Sequence, residues 1–199
     1  MDIRKSLVEH WSIAPMAISA PLGNLGWKAP EFELTDTFGA HKTLANLRGP
    51  NGLLLMFICN HCPYVRAIIN RICSDAIEIR AMGFGVAAIM SNDTHAYPED
   101  SFANMQKLAK DLNFSFPYLY DATQQVARDY AAVCTPDFYG FNSDLELRYR
   151  GRLDSSGIAP AGPDVRRELV DAMRHIAATG QGPAEQTACI GCSIKWRNG

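Results

Sequence analysis

The sequence lacks the runs and imbalances that mark several classes of protein. Among its 199 residues no apolar stretch approaches the roughly 20 needed to cross a bilayer as a helix. Neither charge dominates. With 19 Lys and Arg against 21 Asp and Glu, the net charge is -2, which argues against nucleic acid as the main partner. Six cysteines in a chain this long do not make a disulfide scaffold. They read as reactive thiols in a reducing cytoplasm. The first twenty residues are a poor secretory signal, because Asp2 and Glu9 accompany their basic residues and Ser12 and Pro15 interrupt their apolar part. What is present is one globular domain's worth of chain, 47% hydrophobic.

The informative stretch is Leu53 to Val65. Six apolar residues, Leu53 to Ile58, read as a strand buried on both faces. They lead into Cys59-Asn60-His61-Cys62. Pro63 then opens a helix whose apolar positions are Val65, Ile68, Ile69, Ile72 and Ala76. Proline suits the first helical position, where its missing N–H would have no partner. Cys62 then becomes the N-cap, with its sulfur at the positive end of the helix dipole. That setting favours a reactive thiolate. Half of a zinc site, or merely small buried residues, are the alternatives.

The rest of the chain alternates. Residues 1–28 read as an N-terminal extension, with a short helix over Ser6–Ile13 and Met16 as an alternative start. A domain over 29–180 follows, then an irregular tail over 181–199. Within the domain, Ala29–Asp36 and His41–Leu44 read as strands and Leu44–Gly49 as a helical turn. Gly85–Met90 reads as a buried strand, and Pro98 starts a helix with the stripe Phe102, Met105, Leu108, Leu112. Pro117–Tyr120 is a short strand, and Asp121 or Thr123 caps the next helix. Asp137–Asn142 and Leu145–Arg150 form a hairpin, and Val165–Ala178 a last helix. This order predicts an α/β fold with a mainly parallel sheet covered on both faces, ending in an antiparallel hairpin. Ligands of such sheets bind beyond the strands' carboxyl ends. Cys59 to Cys62 and Asn92 to Tyr97 lie at two such ends and are expected to face each other.

Several motifs together carry a resemblance. They are Ala29-Pro30-Glu31-Phe32, Asn60-His61-Cys62-Pro63-Tyr64-Val65, Asn92-Asp93 with Tyr97-Pro98-Glu99-Asp100-Ser101, and Tyr118-Leu119-Tyr120-Asp121. With them go Cys134-Thr135-Pro136-Asp137-Phe138 and Gly191-Cys192-Ser193-Ile194-Lys195-Trp196. Over residues 28 to 197 the chain resembles the thioredoxin superfamily, in its alkyl hydroperoxide reductase/thiol-specific antioxidant (redoxin) branch, among peroxiredoxin-like thioredoxin-domain proteins. The resemblance implies a thioredoxin-like fold, with a central mixed sheet, helices on both faces and a C-terminal β-hairpin plus helix. It also implies thiol redox chemistry with no cofactor and no resident metal.

Carried over residue by residue, Cys62 takes the peroxidatic position. Cys59 stands where peroxiredoxins have a peroxide-binding threonine, so weak peroxidase activity is a secondary expectation. Arg128, Arg150 and Arg152 are candidates for the activating arginine. Val65 stands where thioredoxins have their second cysteine, and Met56 where they have a buried acid. Read as a whole Cys-x-x-Cys, the pair would make Cys59 the nucleophile. The helix start favours Cys62 as attacker and Cys59 as resolver. Pro136 resembles the superfamily's cis-proline, with Thr135 presenting its backbone to substrate. His61 either steadies the thiolate or is an ordinary loop histidine, and Asn60 lies beside it. Cys134 is either near the site or simply buried, and Cys73 is core.

The Cys189-x-x-Cys192 tail has four readings: Cys192 as a resolving thiol, a second redox centre, a tail docked by Ile194 and Trp196, or, with Cys59 and Cys62, a four-cysteine zinc site, although the gap between the pairs is far longer than in compact zinc ribbons. The expected activity is that of a thiol-disulfide oxidoreductase. Its partners are a thiol or disulfide protein, a small thiol reductant or a hydroperoxide, and the protein itself a monomer or homodimer. Copper or zinc binding through Cys59, His61 and Cys62 is the competing class.

Overall fold

The computed structural model describes residues 17–197; the helix expected over Ser6–Ile13 lies outside them. The order of elements is β1 (Ala17–Ser19), β2 (Glu33–Asp36), β3 (His41–Thr43), α1 (Leu44–Leu47), β4 (Gly52–Phe57), α2 (Pro63–Ala81) and β5 (Phe84–Met90). It continues with a 3-10 turn (Pro98–Asp100), α3 (Phe102–Asp111), β6 (Tyr118–Tyr120), α4 (Gln125–Asp129), β7 (Cys134–Thr135), β8 (Asp137–Phe141), β9 (Leu147–Gly151), α5 (Glu168–Thr179) and β10 (Ile190–Ser193). A seven-stranded sheet runs β3-β2-β6-β5-β4-β8-β9.

Strand β4 lies at the centre because both its faces are apolar. Leu54 and Met56 join the core under α2, while Leu53, Leu55 and Phe57 join the opposite core. That is the two-residue period of a pleated strand. Each such leucine contributes about 1.5–3 kcal/mol by leaving water. In α2, Val65, Ile68, Ile72, Ala76 and Ile79 are buried, the three-and-four spacing of one helical face. Gly83 follows it with φ +86, a left-handed turn that glycine makes without a side-chain clash.

The sheet is mixed rather than mainly parallel. β4 pairs in parallel with β5, and β5 with β6, but β2–β3, β2–β6, β4–β8 and β8–β9 are antiparallel. The β2–β3 hairpin adds to one edge and the β8–β9 hairpin to the other, so parallel pairing is confined to the strands linked by α2 and α3. The helix expected from Pro98 is interrupted: Pro98–Asp100 is a 3-10 turn, and α3 starts after Ser101.

The largest difference from the sequence reading lies in the tail. Residues 190–193 are not irregular but form β10, the middle strand of a second sheet, β1-β10-β7. Ala17, Ile18 and Ser19 pair with Cys192, Gly191 and Ile190, and Cys192 and Ser193 pair with Thr135 and Cys134. Part of the expected extension and part of the expected tail are thus hydrogen-bonded to each other and to the body. The Gly191 site accepts no larger side chain in place, since a Cβ there would lie 2.1 Å from the Thr135 carbonyl oxygen.

Candidate active site

Cys62 is the N-cap of α2, with Pro63 at the helix start. Its sulfur makes no regular capping hydrogen bond to the helix. Its neighbours are sulfurs and one carbonyl. The Cys62 thiol donates to the Thr135 carbonyl at 3.2 Å, and the Cys59 sulfur lies 3.3 Å from the Thr135 hydroxyl. Cys59 and Cys62 are 1% and 0% exposed. Both are free thiols.

A hydrogen bond from the Cys59 thiol does most to pull the Cys62 thiol down, to about 5. Burial opposes this, while the Cys192 thiol and the amides of Val65 and Cys192 assist it. The Thr135 carbonyl favours the protonated form, but the lowering influences, the Cys59 thiol foremost, outweigh it. Cys59 moves the other way. Its bond to Cys62, its burial and the Asp100 carboxylate all push it well above the ordinary thiol range. The opposite shifts favour Cys62 over Cys59 as the sulfur that ionises first.

Asp100 is the residue that sequence reasoning missed. Its neighbours Pro98 and Glu99 mark a helix start, which accounts for an acid there without a further role. In the structure its carboxylate is fully buried. It accepts from the amides of Asn60 and His61 at 2.8 and 3.2 Å, pairs with the His61 ring at 2.6 Å and accepts from the Asn92 side chain at 2.7 Å. The carboxylate fixes the bend between Cys59 and Cys62. Asp100 raises His61 above the ordinary histidine range despite burial, and the nearby Cys62 charge adds to this. Burial alone would raise the Asp100 carboxyl; His61, Asn92 and the Asn60 amide hold it below its ordinary value.

The loop Asn92 to Tyr97 does face the cysteine bend. Tyr97 stacks on His61 with ring centroids 5.3 Å apart, and Asn92 also accepts from the Lys195 amide at 2.9 Å. His95 is exposed. Asn60 donates to the Glu99 carbonyl and accepts from the Tyr118 hydroxyl at 3.0 Å. The Thr135–Pro136 peptide is cis. The Thr135 backbone is not open to a substrate, however, because β10 pairs with it. Cys134 is buried and its thiol points to the Pro136 carbonyl. Cys73 is half-buried, on α2.

None of the three candidate arginines is engaged with Cys62. Arg150 forms a buried pair with Asp137 at 2.8 Å, Arg152 pairs with Glu168 at 2.7 Å, and Arg128 lies over Trp196. Cys59, His61 and Asp100 bring a possible set of metal-ligand atoms within 4.8 Å of one another. Those atoms are engaged otherwise: the carboxylate with His61 and three further donors, and the Cys59 sulfur with Thr135 and Cys62.

Beside the site, a cavity of about 330 Å³ is lined by Tyr64, Ile68, Pro136, Ile158, Cys189 and Ile190, among others. Among the described residues no helix is long and apolar enough to cross a membrane.

Known proteins place this arrangement in context. No curated protein matches the chain. An uncharacterized conserved protein from Geobacillus kaustophilus is 40% identical, with a TM-score of 0.88 over 94% of this chain and 100% of its own. A hypothetical protein from Sinorhizobium meliloti is 34% identical, with a TM-score of 0.83 over 91% and 99%. Peroxidoxin BcpB from Mycobacterium tuberculosis shares the fold at 18% identity, with a TM-score of 0.53 over 77% and 92%. The AhpC/TSA family profile matches residues 25–151. With its thioredoxin-like sheet and a cysteine capping the helix that follows the central strand, the chain belongs to the AhpC/TSA family.

Proposed function

We propose that the protein is a thiol-disulfide oxidoreductase of peroxiredoxin-like type, with Cys62 as the attacking thiolate and Cys59 as a resolving thiol. One observation carries the reading. Cys62 sits at the start of α2 beside the Cys59 thiol, which does most to lower the Cys62 thiol to about 5, so that Cys62 is a thiolate near neutral pH.

The Cys62 thiolate attacks one sulfur of a partner disulfide and expels the other as a thiolate. Cys62 is then neutral in a mixed disulfide. Its bond was the chief reason that Cys59 kept its proton, so Cys59 deprotonates more readily at that stage. Cys59 attacks the Cys62 sulfur, closes the internal disulfide and releases the partner's second thiolate. Two electrons have passed to the partner. Two thiols of an external donor, a small thiol or a dithiol protein, return them by the reverse exchange. A hydroperoxide is the second oxidant class, with weak turnover, since Cys59 replaces the threonine that peroxiredoxins use there.

Asn60, His61 and Pro63 shape the bend, and Thr135 and Pro136 form its opposite wall. A cytoplasmic setting suits thiols that must be re-reduced in every cycle.

The test is turnover of a model disulfide and of hydrogen peroxide with a dithiol donor. The wild type is expected to turn over and Cys62→Ser to be inactive. Equal activity in the two proteins would remove Cys62 from the chemistry. Stoichiometric copper or zinc in protein purified without added metal, combined with no turnover, would favour the metal-binding class.

A further inference from the structure

Cys62 has a thiol neighbour on each side. Cys59 lies on the strand side. On the other, β10 sets Cys192 opposite Thr135 in antiparallel register, and Thr135 is the residue whose carbonyl meets the Cys62 thiol. Register and the shared contact with Thr135 place the Cys192 and Cys62 thiols in one buried cluster, where burial and the Cys62 thiol raise that of Cys192. The Cys192 thiol in turn helps to lower that of Cys62.

This placement is firmly held. β10 is bonded on both edges, by β1 and β7. Beyond it, the Ile194 amide bonds the Val133 carbonyl at 2.9 Å, and the Ile194 side chain is buried in the second core. The Lys195 backbone is tied to Asn92 at 2.9 Å and to the Asp93 amide at 2.8 Å. Gly191 lets the strand approach Thr135 closely, where any Cβ would collide with backbone. The charges also differ between the two flanks. Both flanking thiols are raised, Cys59 by its Cys62 neighbour, burial and the Asp100 carboxylate, and Cys192 by burial and Cys62, but only at Cys192 does a cation, the Lys195 ammonium, offset part of the rise.

We propose that Cys192 is a second resolving thiol for Cys62, so that the oxidised protein includes a Cys62–Cys192 disulfide tying β10 to the start of α2. The proposal rests on the reading of Cys62 as the attacking thiol. With a hydroperoxide ROOH as oxidant, the Cys62 thiolate attacks the terminal oxygen. ROH departs with a proton from solvent, and Cys62 becomes a sulfenic acid. Cys192 gives its proton to the departing hydroxide and attacks the Cys62 sulfur. One water leaves as the disulfide forms. Two thiols have given two electrons to the peroxide. In reduction, a donor thiolate attacks the Cys192 sulfur and expels the Cys62 thiolate, the better leaving group because its thiol is the more acidic. A second donor thiol frees Cys192 and carries away the donor disulfide.

The experiment uses full-length wild type, Cys59→Ser, Cys192→Ser and Cys62→Ser. Each is treated with one equivalent of hydrogen peroxide, quenched by alkylation and mapped as peptides without reduction. Cys59→Ser is expected to lose two alkylatable thiols per chain and to yield the Cys62–Cys192 linked peptide. Cys192→Ser is expected to yield the Cys59–Cys62 loop. The wild type, which needs no substitution, is expected to yield both products across an oxidant titration. If Cys59→Ser melts like wild type yet gives only over-oxidised Cys62, or a link between chains, the proposal is overturned. It is equally overturned if the wild type gives the Cys59–Cys62 loop alone at every oxidant level. If Cys62 stays unmodified in every protein that contains it, the reading of Cys62 as attacker fails and the proposal falls with it.

Discussion

Cys59-Asn60-His61-Cys62 and Cys189-Ile190-Gly191-Cys192 have the same spacing, yet the fold uses them in opposite ways. The first pair spans a bend between a strand and a helix, so both sulfurs turn to the same side and meet at Thr135. The second lies along extended chain, with Ala20 bonded to the Cys189 carbonyl and Cys192 within β10. Three extended residues span about 10 Å, well beyond the roughly 4.4–6.8 Å between Cα atoms that a disulfide needs. Odd spacing on a strand also sends the two side chains to opposite faces. Cys189 and Cys192 are therefore not a redox pair in this fold. Cys192 sits opposite Thr135, whose carbonyl meets the Cys62 thiol, while Cys189 lines the neighbouring cavity, where burial pushes its thiol well above the ordinary range. Spacing identifies a Cys-x-x-Cys; the backbone between the two cysteines decides whether it is one functional unit.

Substitution at one member of each pair should separate them most. Cys62→Ser is expected to lower turnover by about a thousandfold or more, as loss of a nucleophile does. Cys189→Ser is expected to stay within about twofold of wild type. A comparable loss in both would mean that the tail pair acts in catalysis as a unit.

A smaller effect should follow from releasing the carboxylate that fixes the first bend. Asp100→Ala removes one partner of a buried pair and leaves the Asn60 and His61 amides without their acceptor. A loss of about 3 kcal/mol in unfolding free energy is expected by urea titration. The raised His61 gives stability that is full below its unfolded value and is lost as pH rises through the folded one. The lowered Asp100 gives stability that is full above its unfolded value and is lost as pH falls through the folded one. The gap between wild type and the variant should therefore be widest between about pH 4 and pH 6.5. A gap independent of pH would show that the pairing is not ionic.

The second pair depends on its sheet, and β1 is the strand that can be removed. A chain starting at Pro21 is expected to melt about 4–8 °C below one starting at Met16, for a loss of about 2 kcal/mol in β1 pairing. It should also label Cys192 faster with an alkylating reagent. Equal melting and equal labelling would show that β10 is held by β7 alone.

The parts of this architecture that were legible in the sequence are those with local signals. The apolar run of β4, Pro63 after Cys62, and the apolar stripe of α2 each follow from adjacent residues, and together they place Cys62 at the start of α2. The facing loop at Asn92 was legible from the strand-end rule. The β1-β10-β7 sheet was not. Its strands have two to four residues each and lie far apart in the chain, too short to show a period and paired only by tertiary contact. Asp100 was masked because an acid in the sequence after Pro98 already has a reason at a helix start. Thr135 was expected beside Cys62 with its backbone free, and it does contact both Cys59 and Cys62. Its occupation by β10 depends on Gly191 meeting it across the second sheet.

The central claim is that the start of α2 and the flanking thiols keep Cys62 ionised. The most direct measurement is the rate of Cys62 alkylation between pH 3 and pH 10, followed site by site by mass spectrometry. The account predicts that Cys62 labels first. Its rate should rise about tenfold per pH unit up to about 5 and level off above it, since the thiolate is the nucleophile. A Cys62 rate that keeps climbing to the ordinary thiol range, or one overtaken by Cys73 or Cys134 at mildly acidic pH, would contradict it.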